Sequence, residues 1–416
     1  MRVAFDQQIW PHRPSVTVLF CFRQTIIFFL PMSATTIPLP PADSPEARRY
    51  NRIRRWLGIG DFIVGAALLI VLLATGWTGG LRDIALGGAG QNYTLAVALY
   101  VLMLMVAGKL LGLGLDYYGF RLEHRFHLSN QRLRAWAWDE AKGFLLGAVI
   151  AIVVAEILYF ILRHFPEHWW LYSWVVFLGL FVLLAHLAPV ILFPIFYKFE
   201  PLQDEELKTR LVRLSEHAGT RVRGVYQWRL SEKSKKANAA LTGLGRTRRI
   251  ILADTLLENY SADEIEAVLA HELGHHVHRH ILKGILVQAG ITLAGFWIAN
   301  LVLHYAVDRM HMFETFHDFA NLPLLVLLST VLSFLLMPAL NAYSRYNERQ
   351  ADRYAFQAIG VVAPFITAMN RLADQNLAER APSKWVEWLF HSHPSISRRI
   401  AAAKAWAQLH ALPHQR

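Results

Sequence analysis

Six apolar segments, each long enough or nearly long enough to cross a lipid bilayer, dominate the sequence. A helix needs about 20 predominantly apolar residues to cross the hydrocarbon core of a membrane. Hydrophobic residues make up 54% of the chain and charged residues only 18%, a balance typical of membrane proteins. We therefore predict a mainly α-helical, polytopic membrane protein. The segments lie at residues 59–78, 93–115, 143–163, 171–195, 282–305 and 322–341.

Lysine and arginine are distributed unevenly among the loops that join these segments. The stretch 45–56, the loop after the second segment, the 198–280 insert and the C-terminal tail are basic, whereas the alternate loops hold few basic residues. Basic loops tend to stay in the cytoplasm. The pattern therefore predicts that the N-terminus, the insert and the C-terminus lie together in the cytoplasm, and for a bacterial protein it predicts the inner membrane.

The formal net charge of +11 raises the question of a nucleic-acid partner. The basic residues cluster beside apolar segments, and no nucleic-acid-binding motif accompanies them. We therefore expect contact with anionic membrane lipids and no nucleic-acid partner. Cys21 is the only cysteine, which excludes an intrachain disulfide and a CxxC metal site, so any metal must be held by histidine and carboxylate. The sequence leaves the oligomeric state open.

The N-terminal residues resemble a poor signal peptide. Val16 to Leu30 is apolar but short, and Arg23 interrupts it. Met32 opens a polar, Pro-rich stretch and is an alternative start, so residues 1–31 need not be translated. The domains expected from the whole pattern are an N-terminal segment at 1–58, membrane helices at 59–197, a soluble insert at 198–280, two further membrane helices at 281–341 and a C-terminal catalytic portion at 342–416.

The soluble insert has mixed α and β character. Asp204 to Ala218 has the pattern of an amphipathic helix, whereas Val225 to Leu230 and Arg249 to Leu257 have β-type composition. Ser261 is followed three residues later by Glu264, the form of a capping box, so another helix is predicted to begin there. We expect this helix to continue through Ile281 directly into the fifth membrane segment.

The second of these helices carries the motif His271-Glu272-Leu-Gly-His275. Positions i and i+4 share one face of a helix, so His271 and His275 can bind one metal ion. Glu272 can reach a water molecule at that metal and act as its general base. Imidazole and carboxylate ligands suit Zn²⁺. The neighbouring histidines that we interpret as incidental are His276, His278 and His280.

A catalytic zinc site needs a third protein ligand and an open fourth position. The histidines and carboxylates between residues 304 and 318 fall on the opposite side of the predicted membrane. Glu348 and Asp352 follow the sixth segment on the same side as the HExxH motif, at i and i+4 of a predicted helix. One of them can bind the metal while the other orients a ligand imidazole, and a solvated charged helix end is the alternative.

Five short motifs follow one another along the chain. They are Asn238-Ala-Ala…Gly243, Asp254-Thr-Leu-Leu257, Val268-Leu-Ala-His-Glu-Leu-Gly-His275, Ser344-Arg-x-x-Glu-x-x-Ala-Asp352 and His393-Pro. In this order they resemble the integral-membrane CAAX prenyl protease type 1 family of zinc metallopeptidases, and the resemblance extends from about residue 90 onward. It implies a transmembrane helical bundle or barrel around a water-filled chamber, with a cytoplasmic, zincin-like α+β catalytic domain. Eukaryotic members have seven spans, whereas this sequence shows six.

The resemblance also implies the residues of the metal site. His271, His275 and Glu348 would bind one Zn²⁺ per chain. Glu272 would be the general base, and Asp352 would orient a ligand imidazole from behind.

Three further roles follow from the same resemblance. Asn238 would lie on an edge strand that pairs with the extended substrate, His393 would help to stabilise the oxyanion, and Arg399 would lie near the substrate. The partner would be a peptide or protein, with lipidated or membrane-associated substrates included. The expected activity is that of a membrane-embedded zinc metalloendopeptidase, with CAAX-type C-terminal processing as a candidate reaction.

Other functions are compatible with parts of the pattern. A heat-shock-induced quality-control protease of the HtpX type shares HExxH and a downstream glutamate, but it is usually shorter and has fewer spans. A zinc transporter should concentrate histidine and aspartate within its spans, whereas here they lie at the membrane boundary. An inactive scaffold is the remaining alternative. Each of these is less consistent with the sequence than the peptidase.

Overall fold

The computed structural model describes residues 43–243 and 248–411. The apolar stretch Val16 to Leu30 and the alternative start at Met32 lie outside these residues. Helices predominate in the described part of the chain, as the sequence predicts. A small four-stranded sheet lies between the fourth and the fifth membrane-spanning helices in chain order.

Six helical stretches among the described residues are long and apolar enough to cross a membrane, which confirms the six predicted segments. Four of them are α1 (Pro45–Ala74), α3 (Tyr93–Arg125), α4 (Leu133–His164) and α5 (Trp169–Leu187). The fifth joins α10 (His280–His304) to a π-helical turn (Tyr305–Arg309), and the sixth joins a 3₁₀ turn (Phe319–Asn321) to α11 (Leu322–Ile359). The first helix ends at Ala74, before the predicted end of the first segment at residue 78, and a further short helix, α2 (Trp77–Gly88), begins there and extends into the following loop.

The remaining elements are short. They are a π-helical turn (Ala188–Leu192), α6 (Phe193–Phe196), β1 (Phe199–Pro201), α7 (Glu205–His217), β2 (Val225–Trp228), β3 (Ala239–Thr242), β4 (Arg249–Ala253), α8 (Asp254–Asn259), α9 (Ala262–Val277), α12 (Ala363–Gln375), α13 (Lys384–Phe390) and α14 (Ile396–Ala411).

The strands of the sheet lie in the order β1-β2-β4-β3. β2 and β4 pair in parallel, and the other two pairs are antiparallel. The predicted strand at Arg249 to Leu257 is wrong in its second half. β4 ends at Ala253, because the carboxylate of Asp254 accepts hydrogen bonds from the backbone N–H groups of Ser231 and Thr255 and the chain turns into α8. β3 is an edge strand, and it packs against α9.

Helix α9 begins where the capping box predicts. The Ser261 hydroxyl accepts a hydrogen bond from the backbone N–H of Glu264, whose carboxylate accepts one from the backbone N–H of Ser261. The expected continuous helix into the fifth span is wrong, because α9 ends at Val277. Arg279 has φ of 53°, in the left-handed region, and this residue redirects the chain so that α10 starts at His280.

α9 and α11 form the most extensive helix pair in the described chain. A Cβ atom added at Gly274 would lie 2.8 Å from the Cα of Ala351 and 3.0 Å from its carbonyl oxygen. Only the absence of a side chain at Gly274 therefore allows the two backbones to approach this closely. Since Ala351 lies between Glu348 and Asp352, this contact sets the position of both carboxylates relative to α9.

Charged contacts join the membrane helices to the sheet and to the C-terminal portion. Buried Lys236 lies 3.0 Å from the carboxylate of Glu123 on α3, and the hydroxyl of Tyr50 on α1 donates to the same carboxylate. Arg55 on α1 pairs with Glu379 at 2.5 Å. These contacts bring the N-terminal end of α1, the C-terminal end of α3, the insert and the C-terminal portion to one end of the helical bundle.

The close approach at Gly274 generates a first prediction. Gly274→Ala should lower the free energy of unfolding by about 1–3 kcal/mol, because a methyl group there must push α11 away. Gly290→Ala is the matched control, since a Cβ at Gly290 on α10 meets no atom within 4 Å. Thermal unfolding of both variants in detergent micelles measures the difference. Equal stability of the two variants would contradict the packing argument.

Candidate metal centre

Two helices bring three metal-binding side chains together. His271 and His275 project from α9, and Glu348 projects from α11. The two Nε2 atoms lie 3.3 Å apart, His271 Nε2 lies 3.2 Å from Glu348 Oε2, and His275 Nε2 lies 3.5 Å from Glu348 Oε1. These three residues are the one group of metal-binding side chains found among the described residues.

The spacing of the donor atoms suits a zinc ion. Zn²⁺ in a tetrahedral site has ligand bonds of about 2.0–2.2 Å, so neighbouring donor atoms lie about 3.3–3.6 Å apart. The three separations, 3.2, 3.3 and 3.5 Å, fall close to this range. Two neutral imidazoles and one carboxylate also form a donor set that occurs in catalytic zinc sites. The residues present therefore fit the ion that the sequence predicts.

Behind His271 lies a buried ion pair. Asp352 Oδ1 lies 2.8 Å from His271 Nδ1. Arg399 on α14 donates to both oxygens of Asp352, from Nε at 3.0 Å and from Nη2 at 2.6 Å. The three residues are each less than a tenth exposed. A bidentate contact of this kind holds the carboxylate in one orientation, and the carboxylate in turn holds the imidazole.

The electrostatics of the centre favour a bound cation. Burial and the nearby Arg399 cation lower the pKa of His271, but hydrogen bonds to Asp352 and Glu348 outweigh them and raise it to about 9. Two carboxylates thus converge on one imidazole. Glu272 is half-buried beside these groups, and burial raises its pKa above the ordinary value although the two imidazoles oppose the shift. A raised pKa suits a carboxylate that accepts and returns a proton.

His393 also lies at the donor cluster. Its Nε2 atom is 3.3 Å from Glu348 Oε2, and its Nδ1 atom is 2.9 Å from the hydroxyl of Ser392. The side chain is 28% exposed, so this imidazole lies at the rim of the centre. Asn238 directly precedes the edge strand β3, next to α9, and its backbone carbonyl accepts from the N–H of Ala253.

Two residues near the centre were not identified from the sequence. His280, interpreted as incidental, is 1% exposed and lies 3.0 Å from His275, and Gln350 lies on its other side. A continuous helix would turn His280 away from His275, because five residues rotate the chain by about 500° around the helix axis, that is one full turn and about 140° more. The break at Arg279 changes that direction, and no sequence pattern signals a left-handed arginine.

The ion pair behind His271 generates a second prediction. Arg399→Ala should lower the free energy of unfolding of the metal-free protein by about 3–5 kcal/mol, because Asp352 stays buried without its cation. Arg353→Ala is the control, because it removes an exposed guanidinium that adjoins Asp352 in the chain, and it should cost less than about 1 kcal/mol. Thermal unfolding compares them, and similar midpoints would show that Asp352 does not depend on Arg399.

Comparison with known proteins places this geometry in a family. Residues 201–407 match Peptidase family M48, and residues 34–198 match the CAAX prenyl protease N-terminal domain, which is described by five membrane helices. The described part of the latter range contains four candidate spans and the short helix α2.

Relatives from bacteria and fungi support the match. The chain is 30% identical over 373 residues to the uncharacterized metalloprotease YhfN of Bacillus subtilis, covering 88% of this chain and 86% of the relative. It is 29% identical to CAAX prenyl protease 1 of Saccharomyces cerevisiae, covering 72% of this chain and 70% of the relative.

The fold agrees with these similarities. The crystal structure of Ste24p from S. mikatae superposes with a TM-score of 0.79 at 25% identity, and the match covers 88% of this chain and 91% of that one. The chain therefore belongs to Peptidase family M48, as a multi-pass membrane metallopeptidase of the CAAX prenyl protease group.

Proposed function

We propose that the chain is a zinc-dependent endopeptidase that cleaves peptide bonds at the boundary between membrane and cytoplasm. One observation carries the proposal: the donor atoms of His271, His275 and Glu348 converge at zinc-ligand spacing, and Glu272 adjoins the first of them in the chain. Membership of the family supports a peptidase activity. The identity of the metal and of the bond that is cleaved is proposed from the chemistry of these residues.

The residues have distinct roles in this proposal. His271, His275 and Glu348 would hold one Zn²⁺ per chain. A zinc ion bound there supplies a Lewis acid that polarises the scissile carbonyl and lowers the pKa of water to about 7. Asp352, held by Arg399, orients His271. We propose this positioning role for Arg399 rather than the substrate binding that the family resemblance implies, because its guanidinium is buried against Asp352.

Proton transfer falls to Glu272. Its carboxylate takes a proton from the attacking water and delivers it to the leaving amine, and its raised pKa suits both steps. His393 lies at the rim of the cluster, where its Nε2–H can donate to the carbonyl oxygen as negative charge develops there. Both groups act on the substrate, so they are the catalytic residues of the proposal.

The edge strand offers a binding mode for the substrate. Among the described strands, β3 lies at the edge of the sheet beside β4, and an extended peptide can add a strand on its other side through main-chain hydrogen bonds. Asn238 lies at the start of β3, where its side-chain amide can bind the same peptide. This mode recognises backbone, so it places few demands on the side chains of the substrate.

We further propose that the metal centre faces the cytoplasm, in the inner membrane of a bacterium. The basic loops support this orientation. Two ion pairs, Lys236 with Glu123 and Arg55 with Glu379, also support this orientation. They connect segments that the charge pattern assigns to the cytoplasmic side, and they do so at one end of the helical bundle.

The proposal also concerns the class of natural substrate. Relatives are named CAAX prenyl protease 1, which makes prenylated C-terminal peptides the first candidates. Membrane-protein quality control of the HtpX type is the alternative. The open edge of β3 favours a peptidase that tolerates both classes, since main-chain pairing is independent of a lipid group.

Replacing the proposed base gives a third prediction. Glu272→Gln should reduce kcat by about 10²–10⁴-fold, the usual contribution of general acid–base catalysis, while the protein retains its zinc. Peptide hydrolysis and metal analysis of the same purified sample measure both quantities. His271→Ala is the comparison, because it should lose metal and activity together. An active Glu272→Gln protein would exclude Glu272 as the base.

Substrate choice gives a fourth prediction. In vesicles, a prenylated peptide and its unprenylated counterpart should both be cut at the same bond. The prenyl chain should lower KM by roughly tenfold or more, because it concentrates the peptide in the bilayer, and should change kcat little. Mass spectrometry of the products gives the cleavage sites, with the His271→Ala protein as the background control. Cleavage of the prenylated peptide alone would contradict recognition through the backbone.

A further inference from the structure

His275, the second of the two proposed ligand histidines, begins a chain of hydrogen-bonded side chains. His275 Nδ1 lies 3.0 Å from His280 Nδ1, and His280 Nε2 lies 2.8 Å from the side-chain oxygen of Gln350. The amide nitrogen of Gln350 donates to the hydroxyl of Tyr346 at 3.1 Å. The line therefore runs from the end of α9, through the first residue of α10, to α11.

The protons along this line can be placed from chemistry alone. When Nε2 of His275 binds a metal ion, its Nδ1 carries the hydrogen and donates it. Nδ1 of His280 must then accept, which leaves the hydrogen of this neutral ring on Nε2. That hydrogen goes to the Gln350 oxygen, and the Gln350 amide group donates onward to Tyr346. Each of the three contacts thus has one donor and one acceptor.

The two ligand imidazoles are therefore supported differently. His271 is held by the carboxylate of Asp352, which is anionic and paired with Arg399. His275 is held by a neutral imidazole and an amide. An anionic partner increases the electron donation of an imidazole to its metal, whereas a neutral partner mainly fixes its tautomer and orientation.

Local backbone geometry makes this contact possible. α9 ends two residues after His275, and the left-handed Arg279 turns the chain so that the His280 ring meets the His275 ring at a centroid distance of 5.1 Å. His280 is 1% exposed. A buried imidazole is costly unless both of its nitrogens are hydrogen-bonded, and here both of them are.

We infer that His280, oriented by Gln350, is a positioning residue that holds His275 in its metal-binding tautomer and orientation. The inference rests on the proposed zinc site and extends it to a second supporting group. It assigns a role in the metal centre to His280, on α10, and ties that centre to the first turn of the fifth membrane span.

Zinc affinity tests the inference directly. Chelator competition on the purified protein gives the Kd for Zn²⁺ of each variant without using activity. His280→Ala should weaken binding by about 10–100-fold, the usual effect of removing a partner of a ligand imidazole. His280→Asn should recover most of that loss, because its side-chain oxygen can occupy the place of Nδ1 and accept from His275. His276→Ala, at the same end of α9, should bind zinc as the unaltered protein does.

A double-mutant cycle tests the part assigned to Gln350. If Gln350 acts only through His280, then Gln350→Ala should weaken zinc binding in the unaltered protein and have no further effect on His280→Ala. The visible absorption spectrum of the Co²⁺-substituted protein provides a second measurement, since it should change in His280→Ala and stay unchanged in His276→Ala.

Three results would overturn the inference. They are equal zinc affinity of His280→Ala and His276→Ala, failure of His280→Asn to recover any affinity, and additive effects of the two alanine substitutions. The first excludes a positioning role, the second assigns the effect to lost packing, and the third separates Gln350 from His280. Absence of zinc binding in the unaltered protein would instead reject the proposed function, so the two failures are distinguishable.

Discussion

The metal centre depends on how closely α9 and α11 approach each other. Donor atoms for one zinc ion must lie about 3.3–3.6 Å apart, and two helices with ordinary side chains between them hold their axes about 8–10 Å apart. Gly274 and Ala351 have little or no side chain, and they lie between the two histidines of α9 and the two carboxylates of α11. The two helices can therefore approach closely at this point. The glycine inside the HExxH motif therefore permits the close approach that brings the donor atoms of the two helices together.

Around this contact, buried positive and negative groups alternate. The carboxylate of Glu348 faces the imidazoles, Asp352 faces His271 from behind, and the Arg399 cation closes the sequence of alternating charges. A buried charge without a partner costs several kcal/mol. Each of these charged side chains is therefore stable in its buried position only when its partner of opposite charge is present. On the other side, His275 contacts the imidazole of His280, which in turn contacts the side-chain amide of Gln350. The centre thus combines support from a carboxylate on one imidazole with support from an imidazole and an amide on the other.

The sequence predicts those parts that follow from local periodicity. Hydropathy identifies the six spans, and the i, i+4 spacing identifies His271 and His275 as a pair. Glu348 and Asp352 are found as a pair, but only the family resemblance distinguishes the ligand from its partner. The break after His275 and the edge position of β3 are not predictable in this way. Both depend on tertiary contacts, since an arginine enters the left-handed region, and a strand becomes an edge, only in the context of its neighbours.

Helix α11 serves both as the sixth membrane span and as the source of Glu348. During synthesis, the two histidines leave the ribosome more than 70 residues ahead of this glutamate. The third donor reaches the other two only after the last hydrophobic segment has entered the bilayer and packed against α9. Tight metal loading is therefore a late step in biogenesis. A chain that has not completed its insertion therefore lacks the full donor set, although four membrane spans already anchor it.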